Sequence, residues 1–295
     1  MTDHISPRQV ARAIGVSEAS LKRWCDKGLL PSVRTPGGHR RLTVGTVVQY
    51  LRESGHPLPH PELLSLPSAV AQGRVVVSRT RREMIESLAA GEEERFRSLA
   101  LNLYLSGLTV GEVCDEAIGP AFAALGEQWQ HGSLEVYEER RGCEIALALL
   151  HELRHLLPVP GDKAPLALGG TFANDPYTLA NAMVELGLRE LGWRTINCGC
   201  GLPPAQLAAA VRCLKPDLCW LSVSALPEGT NLADLAAPIA AAAREAGARL
   251  IVGGRGAAPP TVADSMPEAE VLTRLGELPP PPPPTPADTT GEPRP

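Results

Sequence analysis

Apolar positions shift their period along the chain, and each shift marks an expected domain. In residues 1–54 the period is helical. Val10, Ala11, Ala13 and Ile14 form the stripe of one short helix, and Leu21 and Trp24 that of a second. Gly15 stops the first helix, and Ser17 caps the second. A Pro-Gly-Gly tip between Val33 and Leu42 predicts a hairpin, and Val44 to Glu53 a third helix. Residues 55–79 carry Pro57, Pro59, Pro61 and Pro67 and predict an extended, semi-rigid linker. Helical spacing returns over 80–157, through Leu99, Leu103, Val113, Ala117 and Leu125. Helices are expected at about 80–90, 92–106, 109–130 and 133–156, with Thr109 and Glu112 as a capping box. Four helices with short connections make a four-helix bundle. Residues 164–276 alternate strands (166–172, 194–198, 218–223, 248–252) with helices (177–191, 204–214, 232–246). That alternation predicts an α/β doubly wound parallel sheet, flavodoxin-like and Rossmann-type. Residues 277–295 hold a run of prolines and are expected to be disordered.

Charge sharpens this division. The chain of 295 residues has a net charge of −5, but residues 1–60 hold nine Lys/Arg against four Asp/Glu. A basic amino-terminal module thus sits on an acidic body, which suits a protein that offers one part of itself to nucleic acid. The seven cysteines contain no CxxC pair, and no apolar run is long enough to span a membrane. Together they lead to the expectation of a cytoplasmic protein with reduced thiols. Cys198 and Cys200 lack a second pair or nearby His, so no metal site is expected there.

The chemistry of the basic module is that of a helix-turn-helix. Ser20, Lys22 and Arg23 lie on the polar side of the second helix, where a recognition helix meets base edges. Arg34, Thr35, Gly37, Gly38, His39, Arg40 and Arg41 surround the hairpin tip as a wing. Glycines let backbone amides approach phosphates, and arginines supply charge and paired donors. The segment SLKRWCDKGLLPSVRTPGGHRRL resembles the winged helix-turn-helix of the MerR and excisionase families, with the R-T-P-G-G-H-R-R wing as its most specific part. The resemblance covers roughly residues 4–54 and implies double-stranded DNA as partner. Many MerR-type proteins dimerise through a long helix after the wing. No such heptad run follows here, so a homo-oligomer is expected to form through the carboxyl-terminal domains.

The order of head, bundle and doubly wound sheet resembles the CarH family of cobalamin-dependent, light-responsive repressors. That resemblance implies a cobalamin site. In the family a Trp and a Glu-His pair ten positions later cap the corrin, and a D-x-H-x-x-G motif supplies the lower axial His. Trp129 and Glu139 stand at that spacing here, followed by Arg140 where the family has His. The motif reads Asp175, Tyr177 and Ala180, so the axial His is replaced by Tyr177. Ser222, Ser224, Gly253 and Gly254 match the segments that flank a buried nucleotide tail in the family. All seven histidines lie at or before His155, so no imidazole of the sheet domain can ligate cobalt. A phenol with an ordinary pKa near 10 is a poor substitute at neutral pH. The domain therefore binds cobalamin without a protein ligand, binds another flat or small ligand, or binds nothing. Outside the family pattern, Trp129 is an ordinary core residue, Glu139 a solvated carboxylate and Asp175 a helix cap.

His151-Glu152-Leu-Arg-His155 matches H-E-x-x-H, a pattern of zinc hydrolases. The helix ends at Pro158 and no His follows as third ligand, so a solvated helix end is the better reading. No catalytic residues and no metal site are expected, and the chain reads as a transcription regulator rather than an enzyme. Two alternatives remain open: a regulator whose sheet domain is a ligand-free scaffold for a protein partner, and a corrinoid carrier for methyl transfer.

Overall fold

The fold was obtained as a computed structural model, and it describes residues 4–68, 75–132, 134–172, 175, 177–225, 231–257, 262 and 266–283. The head holds strand β1 (His4–Ile5), helices α1 (Pro7–Ala13) and α2 (Glu18–Asp26), the wing strands β2 (Val33–Arg34) and β3 (Arg40–Thr43), and helix α3 (Val44–Ser54). Each start has a visible cause. The Ser6, Ser17 and Thr43 side chains accept from Gln9, Ser20 and Thr46 amides at the starts of α1, α2 and α3. Gly15 turns between α1 and α2 at φ +72°. The central strand β3 pairs antiparallel with β1 and β2.

The proline-rich stretch after α3 is not a spacer, contrary to the sequence expectation. Leu58, Leu64 and Leu66 are buried, and residues Pro61–Leu64 form one 3-10 turn against α1. The His60 amide donates to the Ala13 carbonyl at 3.0 Å, and Gln9 Nε2 to the Leu63 carbonyl at 2.7 Å. Three leucines spaced among the prolines outweigh the preference of proline for open chain, because each gains roughly 2 kcal/mol on burial. Residues 69–74 of the expected linker lie outside the described residues.

The bundle comprises α4 (Val77–Ala90), α5 (Glu93–Leu105), α6 (Val110–Val113) continued through a π-turn (Cys114–Ile118) into α7 (Gly119–Gln130), and α8 (Val136–Leu156). The single helix expected over 109–130 is thus interrupted, and Pro120 supplies the reason. It has no N–H for the Glu116 carbonyl, which instead accepts from Arg81 Nε. The Gly119 amide reaches back to the Cys114 carbonyl.

The carboxyl-terminal domain has β4 (Leu166–Gly170), α9 (Leu179–Glu190), β5 (Arg194–Asn197), α10 (Pro204–Leu214), β6 (Leu218–Ser222), α11 (Leu232–Ala246), β7 (Arg249–Gly253) and a fifth strand, β8 (Glu270–Leu272), which the sequence reading missed. The parallel order is β5-β4-β6-β7-β8, the flavodoxin-like arrangement, with its switch point between β4 and β6. Side chains alternate between faces along the strands. Leu168, Cys219, Leu221 and Val252 pack under α10 and α11, while Ala167, Leu218, Trp220 and Ile251 face Leu188, Trp193 and Leu278. The segment expected to be disordered begins by closing that second face. Leu278 is buried, and the Trp193 indole donates to the Pro279 carbonyl at 2.8 Å. Residues 284–295 lie outside the described residues.

The head is docked on the body. One apolar core runs from Ile5 through the bundle to Leu186. Helix α3 lies so close to α8 that a Cβ on Gly45 would come within 2.8 Å of the Leu156 carbonyl oxygen.

Candidate functional site

Two concave regions bring the candidate residues together. The first is a groove of about 480 Å³ between α2 and the wing, with Lys22, Arg34, His39 and Arg41 among its lining, joined by Arg8 from α1. Arg8, Arg23, Arg34, His39 and Arg41 have no side-chain partner among the described residues, and all but the half-buried Arg41 are exposed. Arg8 had not been singled out in the sequence, since its link to the wing exists only in three dimensions. Other expected residues are already engaged. Ser20 Oγ bonds Ser17 Oγ at 2.9 Å, and the Lys22 ammonium pairs with Glu18 at 3.0 Å. Thr35 Oγ1 accepts from the His39 amide at 3.2 Å, and the Gly38 amide donates to the Thr35 carbonyl at 2.8 Å with φ +78°. Gly37 and Gly38 form the exposed tip. Arg40, expected among the phosphate contacts, turns instead to α2, where it pairs with Asp26 and donates to the Lys22 carbonyl at 3.0 Å.

The second region is a cavity of about 590 Å³ at the carboxyl ends of β6 and β7, closed on its other side by the π-turn of the bundle. Ser222, Gly253 and Gly254 line it, together with Ala180. Gly254 has φ +111°, and a Cβ there would meet the Val223 carbonyl oxygen at 2.3 Å, so only glycine fits. The sequence reading missed Trp220, Met183 and the acidic and basic rim. Asp115 accepts from the Leu275 and Gly276 amides, both at 2.9 Å, and Arg274 reaches Glu116 at 2.6 Å. That guanidinium holds the Glu116 carboxyl below the usual carboxylate range. Pro120 in mid-helix was the available signal for a π-turn at a site.

Asp175 is buried and is not a helix cap. Its Oδ1 accepts from the Tyr177 amide at 3.0 Å, and its Oδ2 from the Ser224 amide at 2.5 Å and the Ala225 amide at 3.3 Å. The carboxylate thereby ties the loop after β4 to the loop after β6, at the switch point. Tyr177 beside it faces the bundle, and the Arg140 guanidinium carbon lies 6.0 Å from its ring centroid. Glu139 is shared between Arg140 at 3.7 Å and the Cys143 thiol, which donates at 3.5 Å. Burial and the Glu139 charge push that thiol up to about 12. Trp129 is half exposed, and neither it nor Glu139 lines the cavity.

These contacts test whether an axially ligated corrin fits. The two residues standing where the family has its cap His and axial His meet each other instead. Tyr177 offers a phenol in place of an imidazole. The residues present do not fit a corrin ligated from below in this arrangement.

Metal and thiol chemistry add little. Glu152 of the H-E-x-x-H stretch is taken by Arg97, whose NH2 lies 2.6 Å from its Oε1. No group of three metal-ligating side chains occurs among the described residues. All seven cysteines are free. No helix of the described residues is long and apolar enough to cross a membrane.

Comparison with known proteins agrees with this layout. Residues 5–55 match the family model of a helix-turn-helix domain, and residues 80–154 that of a B12 binding domain. Over 242 residues the chain is 25% identical to the HTH-type transcriptional repressor CarH of Myxococcus xanthus, covering 76% of this chain and 80% of the relative. Among solved structures it is similar to the monomethylamine corrinoid protein of Methanosarcina barkeri, with a TM-score of 0.54 and 12% identity, over 68% of this chain and 96% of that one. The latter likeness concerns the fold. The chain joins a helix-turn-helix domain to a B12-binding-type domain.

Proposed function

We propose that a chain with these two domains is a cytoplasmic, DNA-binding transcription regulator of MerR type, whose bundle and α/β domain hold a ligand or assemble copies and thereby govern DNA binding. The observation that carries this reading is the orientation of the head. Its α3 side is buried against the body through Gly45, while the groove of α2 and the wing stays open with four unpaired cationic or imidazole side chains (Arg8, Arg34, His39 and Arg41) along it, and Arg23 is exposed and unpaired elsewhere on α2. Lys22 and Arg23 meet the major groove and the wing the adjacent backbone. One such unit reads only a few base pairs, so paired half-sites bound by a homo-oligomer are part of the proposal. The similar protein from Myxococcus xanthus is a repressor, and repression is the proposed sense.

The ligand module admits two readings. In the first, a corrinoid or another flat ligand enters at the sheet's carboxyl edge without an axial protein ligand, which the B12 binding match supports. In the second, the module is a scaffold, which the contact of Arg140 with Tyr177 favours. Expression with adenosylcobalamin, desalting in the dark and absorption spectra before and after illumination separate them. A retained corrin band that changes operator affinity supports the first. A colourless protein that still shifts DNA supports the second. A protein that shifts no duplex from a randomised pool overturns the regulator itself.

A further inference from the structure

Arg40 and Asp26 form a bridge across the proposed DNA-binding surface. Arg40 stands on β3 next to the wing tip, and Asp26 is the last residue of α2. The guanidinium uses both ends: NH2 pairs with Asp26 Oδ1, and NH1 donates to the Lys22 carbonyl at 3.0 Å. Its side chain is only 19% exposed, although it belongs to a solvent-facing hairpin. Across the ladder Arg40 stands directly opposite Arg34, a like-charge pair that disfavours the hairpin unless one charge is neutralised. Asp26 is also an oddity by itself. It lines the groove together with Glu18, whose charge Lys22 meets, and a carboxylate in a groove meant for phosphates lowers affinity by simple Coulomb repulsion.

We infer that Arg40 and Asp26 are a positioning pair, which fixes the angle of the wing to the recognition helix and contacts no phosphate itself. The fork geometry is what the task requires. One guanidinium bonds a carboxylate and a helix carbonyl at once, so the wing is held in both distance and rotation. Phosphate binding is left to Arg8, Arg34 and Arg41, and His39 adds a donor. The inference rests on the DNA-binding reading, but its consequence for the wing exists without DNA.

The sign of one substitution decides it. Asp26→Asn removes a negative charge from the groove, and electrostatics alone predicts tighter binding to every duplex. Positioning predicts the opposite on a duplex enriched by the wild-type protein from a randomised pool, with a loss of about tenfold. On a scrambled duplex of the same length affinity holds or rises, so selectivity falls. Arg40→Lys keeps the charge but cannot make both bonds, and it loses selectivity to the same degree with an unchanged salt slope. The double variant loses no more than either single one. In free protein, amide exchange at Thr35 and Gly38, which bond within the tip at 2.8 Å each, accelerates in both variants while that of α3 does not. Tighter binding by Asp26→Asn, full function in Arg40→Lys, additive losses or unchanged wing exchange overturns the pair. Wild-type protein that enriches no duplex overturns the DNA-binding reading instead, and the exchange measurement still decides the pair.

Discussion

Arg52 of the head helix α3 reaches Glu190, the last residue of α9 in the α/β domain, at 3.2 Å. Its guanidinium carbon lies 3.7 Å from the ring centroid of Tyr104 in the bundle, and NH2 donates to the Leu108 carbonyl at 2.9 Å. One arginine therefore joins all three domains. Glu190 is held on its other side by the Val110 amide at 2.6 Å. Burial raises the pKa of Glu190, and burial pushes the Tyr104 phenol up to about 12 against the pull of Arg52. Helix α9 also lines the cavity through Ala180 and Met183, so the helix that walls the proposed ligand site ends on the head.

Glu190→Ala strips Arg52 of its counter-charge in a largely buried place. The expected cost is roughly 3 kcal/mol, read as a lower urea midpoint. Faster proteolysis between α3 and α4 follows from the loosened head. A variant as stable and as resistant as the wild type would refute the clamp.

Arg140 of the bundle and Tyr177 of the α/β domain approach each other, the guanidinium carbon lying 6.0 Å from the ring centroid. Arg140→His with Tyr177→His restores both imidazoles. Incubated with adenosylcobalamin and desalted in the dark, the double variant is expected to retain more corrin per protomer than the wild type. Equal retention would mean that the contact does not govern corrin binding.

Arg41 carries no side-chain partner among the described residues, whereas Arg40 is engaged. Arg41→Ala should weaken all duplexes alike and lower the salt slope by about one unit. Arg23→Ala should instead change the bases enriched from a randomised pool. An unchanged slope in the first case, or unchanged bases in the second, removes that residue from its role.

Acid should release the latch by which Arg274, after β8, holds Glu116 of the π-turn in the bundle. Glu116 has a pKa held below its ordinary value of 4.5 by the Arg274 hydrogen bond. Its folded pKa lies below the unfolded one, so its contribution is complete above about pH 4.5 and is lost as pH falls through the lowered value. Amide exchange at Leu275 and Gly276, which donate to Asp115, should quicken over that window. In Glu116→Gln the latch should be weaker at neutral pH and less sensitive to acid. A wild-type latch insensitive to pH between 5 and about 3 would contradict this.

The elements with a local cause were legible in the chain itself. Ser17, Gly15 and the Pro-Gly-Gly tip define the head, and alternating strand and helix periods define the doubly wound sheet, because caps, turns and periodicity act over a few residues. Ser222, Gly253 and Gly254 could be placed at a crevice for a related reason, since they follow strands whose order fixes where a doubly wound sheet opens. What depended on distant partners was not legible. Leu58 and Leu64 turn a proline-rich stretch into core only because α1 is there to receive them. Strand β8 is three residues long and is held by β7. Arg40 looked like its neighbour Arg41 until Asp26 and the Lys22 carbonyl claimed it. Likewise, the meeting of Arg140 with Tyr177 across two domains follows from packing. The amino-acid sequence determined the elements and the chemical groups. Tertiary structure decided which groups are spent on one another and which remain open, because a charge or hydrogen bond is satisfied by what lies near it in space rather than along the chain.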